Sequence, residues 1–219
     1  MKNQTIKKQF LALGLGLLAA SVANANLINN GSFETHDAFN NCSWGYFNGT
    51  AGNAVSGWTS ESGVPIEIGT AGTYGVTGQD GSDVMELDST ANVKVDQNVV
   101  ANGTYTLSFL YAARAGVDKT SDTFEVTLGT YTFAFSPTST AMTLFTTTVT
   151  GLTGGNILSF VGTGTSDSYG ALIDNVQLNE TLPPTASVPE PSTWVAGMLL
   201  VLPFGIHGLR ALRMRQQRA

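Results

Sequence analysis

The sequence has few of the residues that form cross-links and metal clusters. Cys42 is the only cysteine, so no disulfide can form within the chain. The two histidines, His36 and His207, stand far apart in the sequence and form no cysteine–histidine motif of the kind that binds zinc. A single thiol is free, modified or paired with another chain. The usual behaviour of free cysteine favours a small, semi-buried Cys42.

Positive charge is scarce between residues 26 and 187. Three basic residues, Lys94, Arg114 and Lys119, stand against fifteen acidic ones, which leaves a net charge of −12. Nucleic-acid binding depends on cationic contacts to phosphate, so this balance argues against a nucleic-acid partner. An acidic surface suits an extracellular domain, or one that holds divalent cations.

Catalytic signatures are also missing. The sequence contains no G-x-S-x-G elbow, no H-E-x-x-H motif, no phosphate-binding loop and no Ser/His/Asp set around His36. Acidic residues are numerous enough to supply the two carboxylates of a glycoside hydrolase, but no spacing singles out a pair. We therefore predict a protein that is not an enzyme, with an unrecognised glycosidase as an alternative.

The central segment shows the period of β-strands and no amphipathic helical run. In residues 104–113, Tyr105, Leu107, Phe109 and Tyr111 fall on one face. Asn102-Gly103 and Gly129-Thr130 predict hairpin turns. Further short strands are predicted at residues 64–68, 84–87, 93–99, 124–128, 131–135, 144–149, 156–161 and 171–178. Many short strands at regular spacing predict an all-β fold, an antiparallel β-sandwich or barrel.

The N-terminal segment has the three parts of a secretory signal. Lys2, Lys7 and Lys8 precede an apolar run at residues 10–20, and the small residues of the segment 23–25 follow. This pattern predicts a signal peptide over residues 1–25, cleaved by signal peptidase so that the mature chain starts near Asn26. The alternative is a first helix that stays in the membrane.

The C-terminal segment predicts a transmembrane helix at about residues 192–209, where no charged residue occurs. The basic tail, residues 210–219, contains four arginines and predicts a cytoplasmic flank. Residues 183–187 form a linker from the β domain, residues 26–182, to a short motif: Val188, Pro189, Glu190 and Pro191.

The order of this motif, the apolar helix and the arginines resembles the PEP-CTERM sorting signal, over residues 188–219. The resemblance implies cleavage near the motif by an exosortase, a membrane transpeptidase-like cysteine protease. It also implies a bacterium that makes exopolysaccharide or a biofilm matrix. The expected location is the cell envelope, cell surface or extracellular matrix, after a transient stay in the inner membrane.

A second resemblance covers most of residues 26–179. The segments Asn-Gly-Ser-Phe-Glu at 30–34, Ser-Gly-Trp at 56–58 and Ile-Asp-Asn-Val at 173–176 occur in an order similar to galactose-binding-like jelly rolls among the carbohydrate-binding modules. The resemblance implies an antiparallel jelly-roll β-sandwich in which the first and last strands meet. It also assigns Trp58 to the core.

In those modules a structural calcium ion often lies between the first and last strands. The resemblance places its ligands at Glu34 and Asp174, completed by backbone carbonyls, with Glu86 and Asp88 as weaker candidates. Two carboxylates brought together repel each other unless a cation or a proton joins them. The alternative is that both acids face solvent at strand ends.

Sugar-binding modules of this fold use exposed aromatics and a few polar side chains. Residues 39–57 do not alternate and predict a long loop, which either binds a ligand or folds back over the core. The candidate ligand-binding residues are Trp44, Tyr46, Tyr74, Arg114 and Tyr169. Arg114 has the alternative of a salt bridge to one of the many acids.

The predicted function is therefore a non-catalytic carbohydrate-binding module associated with exopolysaccharide. The alternative is a structural surface protein or adhesin without a small ligand.

Overall fold

The computed structural model describes residues 25–61 and 63–181. These residues form eleven β-strands and one short helix. The elements are β1 (Trp44–Phe47), β2 (Thr59–Ser60), β3 (Ile66–Thr70), α1 (Ala71–Tyr74), β4 (Asp83–Glu86), β5 (Lys94–Val100), β6 (Gly103–Ala112), β7 (Phe124–Leu128), β8 (Tyr131–Phe135), β9 (Thr143–Leu152), β10 (Gly155–Gly162) and β11 (Leu172–Glu180).

The strands form two antiparallel sheets that face each other across one core. The six-stranded sheet has the order β1-β3-β4-β11-β6-β9, and the five-stranded sheet has the order β2-β5-β10-β7-β8. Ile68 and Phe109 from the first sheet and Val126 and Phe160 from the second belong to the same buried apolar cluster. The prediction of an antiparallel β-sandwich is confirmed.

Alternation along the strands correctly predicted which side chains enter the core. Tyr105, Leu107 and Phe109 of β6 are buried, and the residues between them are half-exposed. Trp58 is buried as well, and its indole nitrogen donates to the Asn30 carbonyl oxygen at 3.0 Å. Burial of these large side chains is a main source of the stability of the sandwich.

One of the two predicted hairpins is correct and the other is wrong. Gly129 and Thr130 join β7 to β8, whose register pairs Leu128 with Tyr131. The turn at Asn102-Gly103 joins β5 to β6, and these strands belong to different sheets. Strand alternation identifies the buried face but not the partner, and both strands bury a face in the same core from opposite sides.

Two further expectations in residues 39–57 are corrected. The predicted loop contains strand β1, whose aromatic residues point both ways: Phe47 is buried and Tyr46 is exposed. Large apolar side chains on both faces hide the period of two, which explains the missed strand. Cys42, expected to be semi-buried, is exposed.

The predictions for the chain ends lie almost entirely outside the described residues. These are the signal peptide up to residue 24, most of the linker, the sorting motif, the apolar segment and the basic tail. Within the described ranges, no helix has the length and apolar character that crossing a bilayer requires.

Candidate functional site

The candidate site lies on the outer face of the six-stranded sheet. Ile66 and Ile68 of β3 point into the core, so Glu67 between them points outward. The register places Tyr46 of β1 opposite Glu67, and Glu67 opposite Glu86 of β4. Three neighbouring strands therefore carry one aromatic ring and two carboxyl groups in a single row across the sheet.

The two carboxyl groups form a buried, hydrogen-bonded pair. Glu67 is 4% exposed and Glu86 is fully buried. The Tyr74 hydroxyl donates to Glu67 Oε1 at 3.0 Å, and the Gly170 amide donates to Glu86 Oε1 at 2.7 Å. Burial first, and then the charge of Glu67, raise the pKa of Glu86 to about 9. The pair therefore shares one proton at neutral pH.

Arg114 balances the remaining charge of this pair. Its Nη1 donates to both carboxyl oxygens of Glu86, at 2.5 and 2.6 Å. Its guanidinium carbon lies 4.9 Å from the centre of the Tyr74 ring and 4.6 Å from that of Tyr169, so cation–π contacts hold it in place. The Arg114 amide donates to the buried Asp122 carboxylate at 3.0 Å, which positions the backbone after β6.

A third buried acid, Asp88, holds the loop that carries Tyr169. Its Oδ2 accepts the amides of Asp167 and Ser168, at 2.8 and 2.9 Å. Ser168 has a φ of 66°, which non-glycine residues seldom adopt. The hydrogen bonds to the buried Asp88 carboxylate offset the cost of this backbone conformation. They also fix the backbone that places the Tyr169 ring at the site.

These residues surround a cavity of about 240 Å³. Its lining consists of Trp44, Tyr46, Glu67, Thr73, Tyr74, Arg114, Ser168 and Tyr169. All five residues predicted to bind ligand line this one cavity, although they come from four separate parts of the chain. Trp44, Tyr46 and Tyr169 are 36%, 38% and 44% exposed.

Tyr74 differs from the other aromatics of the site because its side chain is buried, at 2% exposure. Its ring packs against the Arg114 guanidinium and its hydroxyl donates to Glu67. Little of the ring is left exposed for a sugar to stack on. Gly69 permits this arrangement, since a Cβ atom there would lie 2.6 Å from both Trp44 Cβ and the Tyr74 hydroxyl. Any larger residue at position 69 would displace one of the two rings.

Two larger cavities share lining residues with this one. A cavity of about 440 Å³ shares Thr73, Tyr74, Arg114 and Tyr169 with it. Another, of about 460 Å³, shares Tyr46 and extends along Asn48, Asn53 and Pro65. The three cavities adjoin through these shared residues, and we call them together the aromatic groove.

The other candidate pair, Glu34 and Asp174, lies where the two ends of the domain meet. The Leu27 amide donates to the Leu178 carbonyl at 3.0 Å, which places the N-terminal segment beside β11 as expected. Glu34 Oε1 accepts the amides of Ser82 and Asp83, at 2.6 and 2.8 Å.

Asp174 is fully buried and accepts hydrogen bonds from the amides of Asp80 and Asn175, at 2.5 and 2.6 Å. Burial, followed by the charges of Asp80 and Glu34, raises the pKa of Asp174 to about 7 despite these hydrogen bonds. The charge of Glu34 therefore contributes to the raised pKa of Asp174.

Glu34 and Asp174 offer the type of ligand that calcium prefers, but they are only two side chains. Carboxylate oxygens are the ligands that Ca²⁺ prefers, and no cationic group in the described parts of the chain forms a salt bridge with Glu34 or Asp174. Over the same residues, no cluster of three or more Asp, Glu, His or Cys side chains suits a metal ion. Backbone carbonyls would have to complete the shell.

The structure places the two weaker calcium candidates elsewhere. Glu86 belongs to the aromatic groove and Asp88 to the support of the Tyr169 loop. Sequence reasoning missed Glu67 as a groove residue. The available signal was an acid inside an otherwise apolar strand, Ile-Glu-Ile at 66–68, because a buried acid requires a partner.

No protein-family model matches the chain. Two similar proteins both carry the name multifunctional-autoprocessing repeats-in-toxin. That of Vibrio cholerae serotype O1 is 32% identical over 162 residues, which are 72% of this chain and 3% of that protein. That of Vibrio vulnificus is 30% identical over 155 residues, or 69% of this chain and 3% of that protein. The chain thus corresponds to a small part of either relative.

Similar solved structures include carbohydrate-binding modules. Family 16 Carbohydrate Binding Module-2 has a TM-score of 0.49 and 18% identity, and the match covers 71% of this chain and 100% of that one. The CBM22-1 xylan-binding domain from Paenibacillus barcinonensis has a TM-score of 0.45 and 15% identity, with 73% and 97% covered. Both TM-scores are below 0.5, so the likeness by itself assigns no ligand.

Proposed function

We propose that residues 26–182 form a galactose-binding-like jelly-roll module that binds a polysaccharide chain in the aromatic groove without cleaving it. The observation that carries the proposal is the convergence of three exposed aromatics, Trp44, Tyr46 and Tyr169, on a cavity floored by fixed polar groups. Aromatic faces stack on the apolar faces of sugar rings, and the polar groups orient the hydroxyls.

The charges of the groove favour an uncharged sugar chain. Arg114 is already paired with Glu86, and the adjoining cavity is lined by Asp118 and Asp167. Carboxylates therefore outnumber free cations along the groove, and the domain as a whole carries a large negative charge. An acidic polysaccharide would be repelled, whereas neutral pyranose units would not.

The geometry of the acid pair favours binding over hydrolysis. Retaining glycosidases separate their two carboxyl groups by about 5 Å and inverting ones by more, because the scissile bond or a water lies between them. Glu67 and Glu86 are hydrogen-bonded directly to each other, which leaves no such space. We assign them to the rigid floor of the groove.

The proposal also covers the export of the protein and its location at the cell. The signals at the chain ends support export, sorting by an exosortase and a place at the cell surface or in an exopolysaccharide matrix. A calcium ion held by Glu34 and Asp174 would tie the first segment of the domain to its last strand. Its chemistry would be structural, and the groove residues do not depend on it.

Binding to the exopolysaccharide of the producing cell, followed by a glycan array, tests the proposed function. We expect Trp44→Ala and Tyr169→Ala each to weaken binding by about 1–3 kcal/mol, the effect of losing an anchoring aromatic. Ile157→Ala, at an exposed position on β10 outside the groove, is the control and should bind like wild type. Unchanged affinity in both aromatic variants would place the site elsewhere.

A further inference from the structure

The side of the sandwich opposite β1 ends in two neighbouring edge strands. Among the described strands, β9 is the last of the six-stranded sheet and β8 the last of the five-stranded sheet. Phe145 of β9 lies 5.3 and 5.0 Å, between ring centres, from Phe133 and Phe135 of β8. We call these two strands together the β8–β9 flank.

This flank carries no charge in a strongly acidic domain. No Asp, Glu, Lys or Arg occurs between Glu125 and Asp167, a stretch that includes β8, β9 and β10. All fifteen acids of the segment 26–187 lie outside this stretch or at its two ends. Two copies of the domain therefore repel each other least when these flanks approach.

The edge of β9 also lacks the devices that usually prevent strands from pairing. Natural edge strands carry charges, prolines or bulges, or are very short. β9 is ten residues long and has neither charge nor proline. Its one irregularity lies at the C-terminal end, where the register with β6 shifts and the Tyr131 hydroxyl accepts the Thr150 amide at 3.0 Å. No other described strand pairs with residues 143–149 on the side away from β6.

We propose that residues 143–149 pair edge to edge with the same strand of a second copy of the chain, antiparallel about a two-fold axis. An antiparallel pair of identical strands is self-complementary, as a two-fold interface requires. Leu144, which is 62% exposed on β9, gains an apolar contact in this arrangement. A basic partner would instead be drawn to the acidic surfaces elsewhere, which favours a second copy.

The joined sheet would place both β1 strands, with Trp44 and Tyr46, at its far ends. If the aromatic groove binds polysaccharide as proposed above, the dimer holds two grooves and gains avidity for a long chain. The edge pairing itself does not depend on any ligand. Its test therefore uses protein alone, and its failure would leave the proposed function intact.

Sedimentation equilibrium of the full chain, with reductant so that Cys42 forms no cross-link, tests the pairing. We expect a reversible dimer that tightens when salt rises from about 0.1 to about 1 M, because screening weakens repulsion between acidic copies. Thr146→Lys should raise the dissociation constant at least about tenfold by setting like charges opposite each other across the axis. Ile157→Lys, at a 50% exposed position on the interior strand β10, adds the same charge and should not.

Hydrogen exchange of wild-type protein gives a second, independent measurement. Protection of the amides in residues 143–149 should rise with protein concentration, which a dimer formed elsewhere would not cause. Three results would overturn the proposal: a monomer at every concentration, a dimer that Thr146→Lys leaves intact, or β9 amides whose exchange ignores concentration. If Thr146→Lys fails to fold, the exchange measurement on wild type decides alone.

Discussion

The shared proton of Glu67 and Glu86 makes the stability of the domain depend on pH in a defined direction. In the unfolded chain Glu86 titrates near 4.5, and in the folded protein its pKa is about 9. Between these values the folded state holds a proton that the unfolded state has released. Folding therefore becomes less favourable as pH rises through this window, and the stabilisation is complete only below it.

The size of the effect follows from the number of protons involved. One proton difference changes the free energy of unfolding by about 1.4 kcal/mol per pH unit. Asp174 also has a raised pKa, about 7, so it contributes to the same trend below neutrality. Between pH 7 and pH 9 the pair dominates and Asp174 adds a smaller share, and we expect a total loss of at most about 3 kcal/mol.

Urea unfolding of the full chain at pH 7 and pH 9 measures this loss. Glu86→Gln is the informative variant, because the amide keeps the shape of the protonated acid and cannot titrate. Its carbonyl can still accept from Arg114 and Gly170, and its NH₂ can donate to Glu67 but gives up the second Arg114 contact. We expect a much smaller loss between pH 7 and pH 9 in this variant. An equal loss in wild type and variant would show that the pair is not the titrating group.

Three further predictions concern other parts of the chain. Gly69→Ala should weaken polysaccharide binding and lower stability by about 1–3 kcal/mol, since the new methyl group collides with the Trp44 side chain. Titration with polysaccharide measures the binding, and thermal melting measures the stability. Calcium at one hundred times its dissociation constant should stabilise the protein by about 2.7 kcal/mol over chelator, and Asp174→Ala should abolish the difference in melting. Intact mass of protein from native cells should show a chain that starts near Asn26 and ends near residues 188–191.

Each of these has a result that contradicts it. Gly72→Ala is the control for the first, because a Cβ there meets nothing within 4 Å, and equal behaviour of both variants would refute the steric reasoning. A wild type that melts alike with chelator and with calcium would remove the calcium site. A main species that retains Met1 or ends at Ala219 would remove the sorting prediction.

The sequence by itself determined the buried face of most strands. A strand alternates its side chains with a strict period of two, so a core residue such as Phe109 identifies its own face without knowledge of its neighbours. The same logic failed for β1, where Tyr46 and Phe47 present large side chains to opposite faces. Arg114 was found because it is the only arginine between residues 26 and 187. The aromatic candidates were found because sugar-binding modules of the fold that the sequence resembles use exposed aromatics.

Only the tertiary structure decided which of these residues meet. Glu67 and Glu86 become a pair because β3 and β4 align in one register, and Arg114 reaches them from the end of a strand two places along the sheet. Tyr74 looked like an exposed aromatic, but α1 folds it beneath Arg114. Such contacts join residues far apart in sequence and depend on the order and register of the assembled strands. Alternation depends on the local backbone alone.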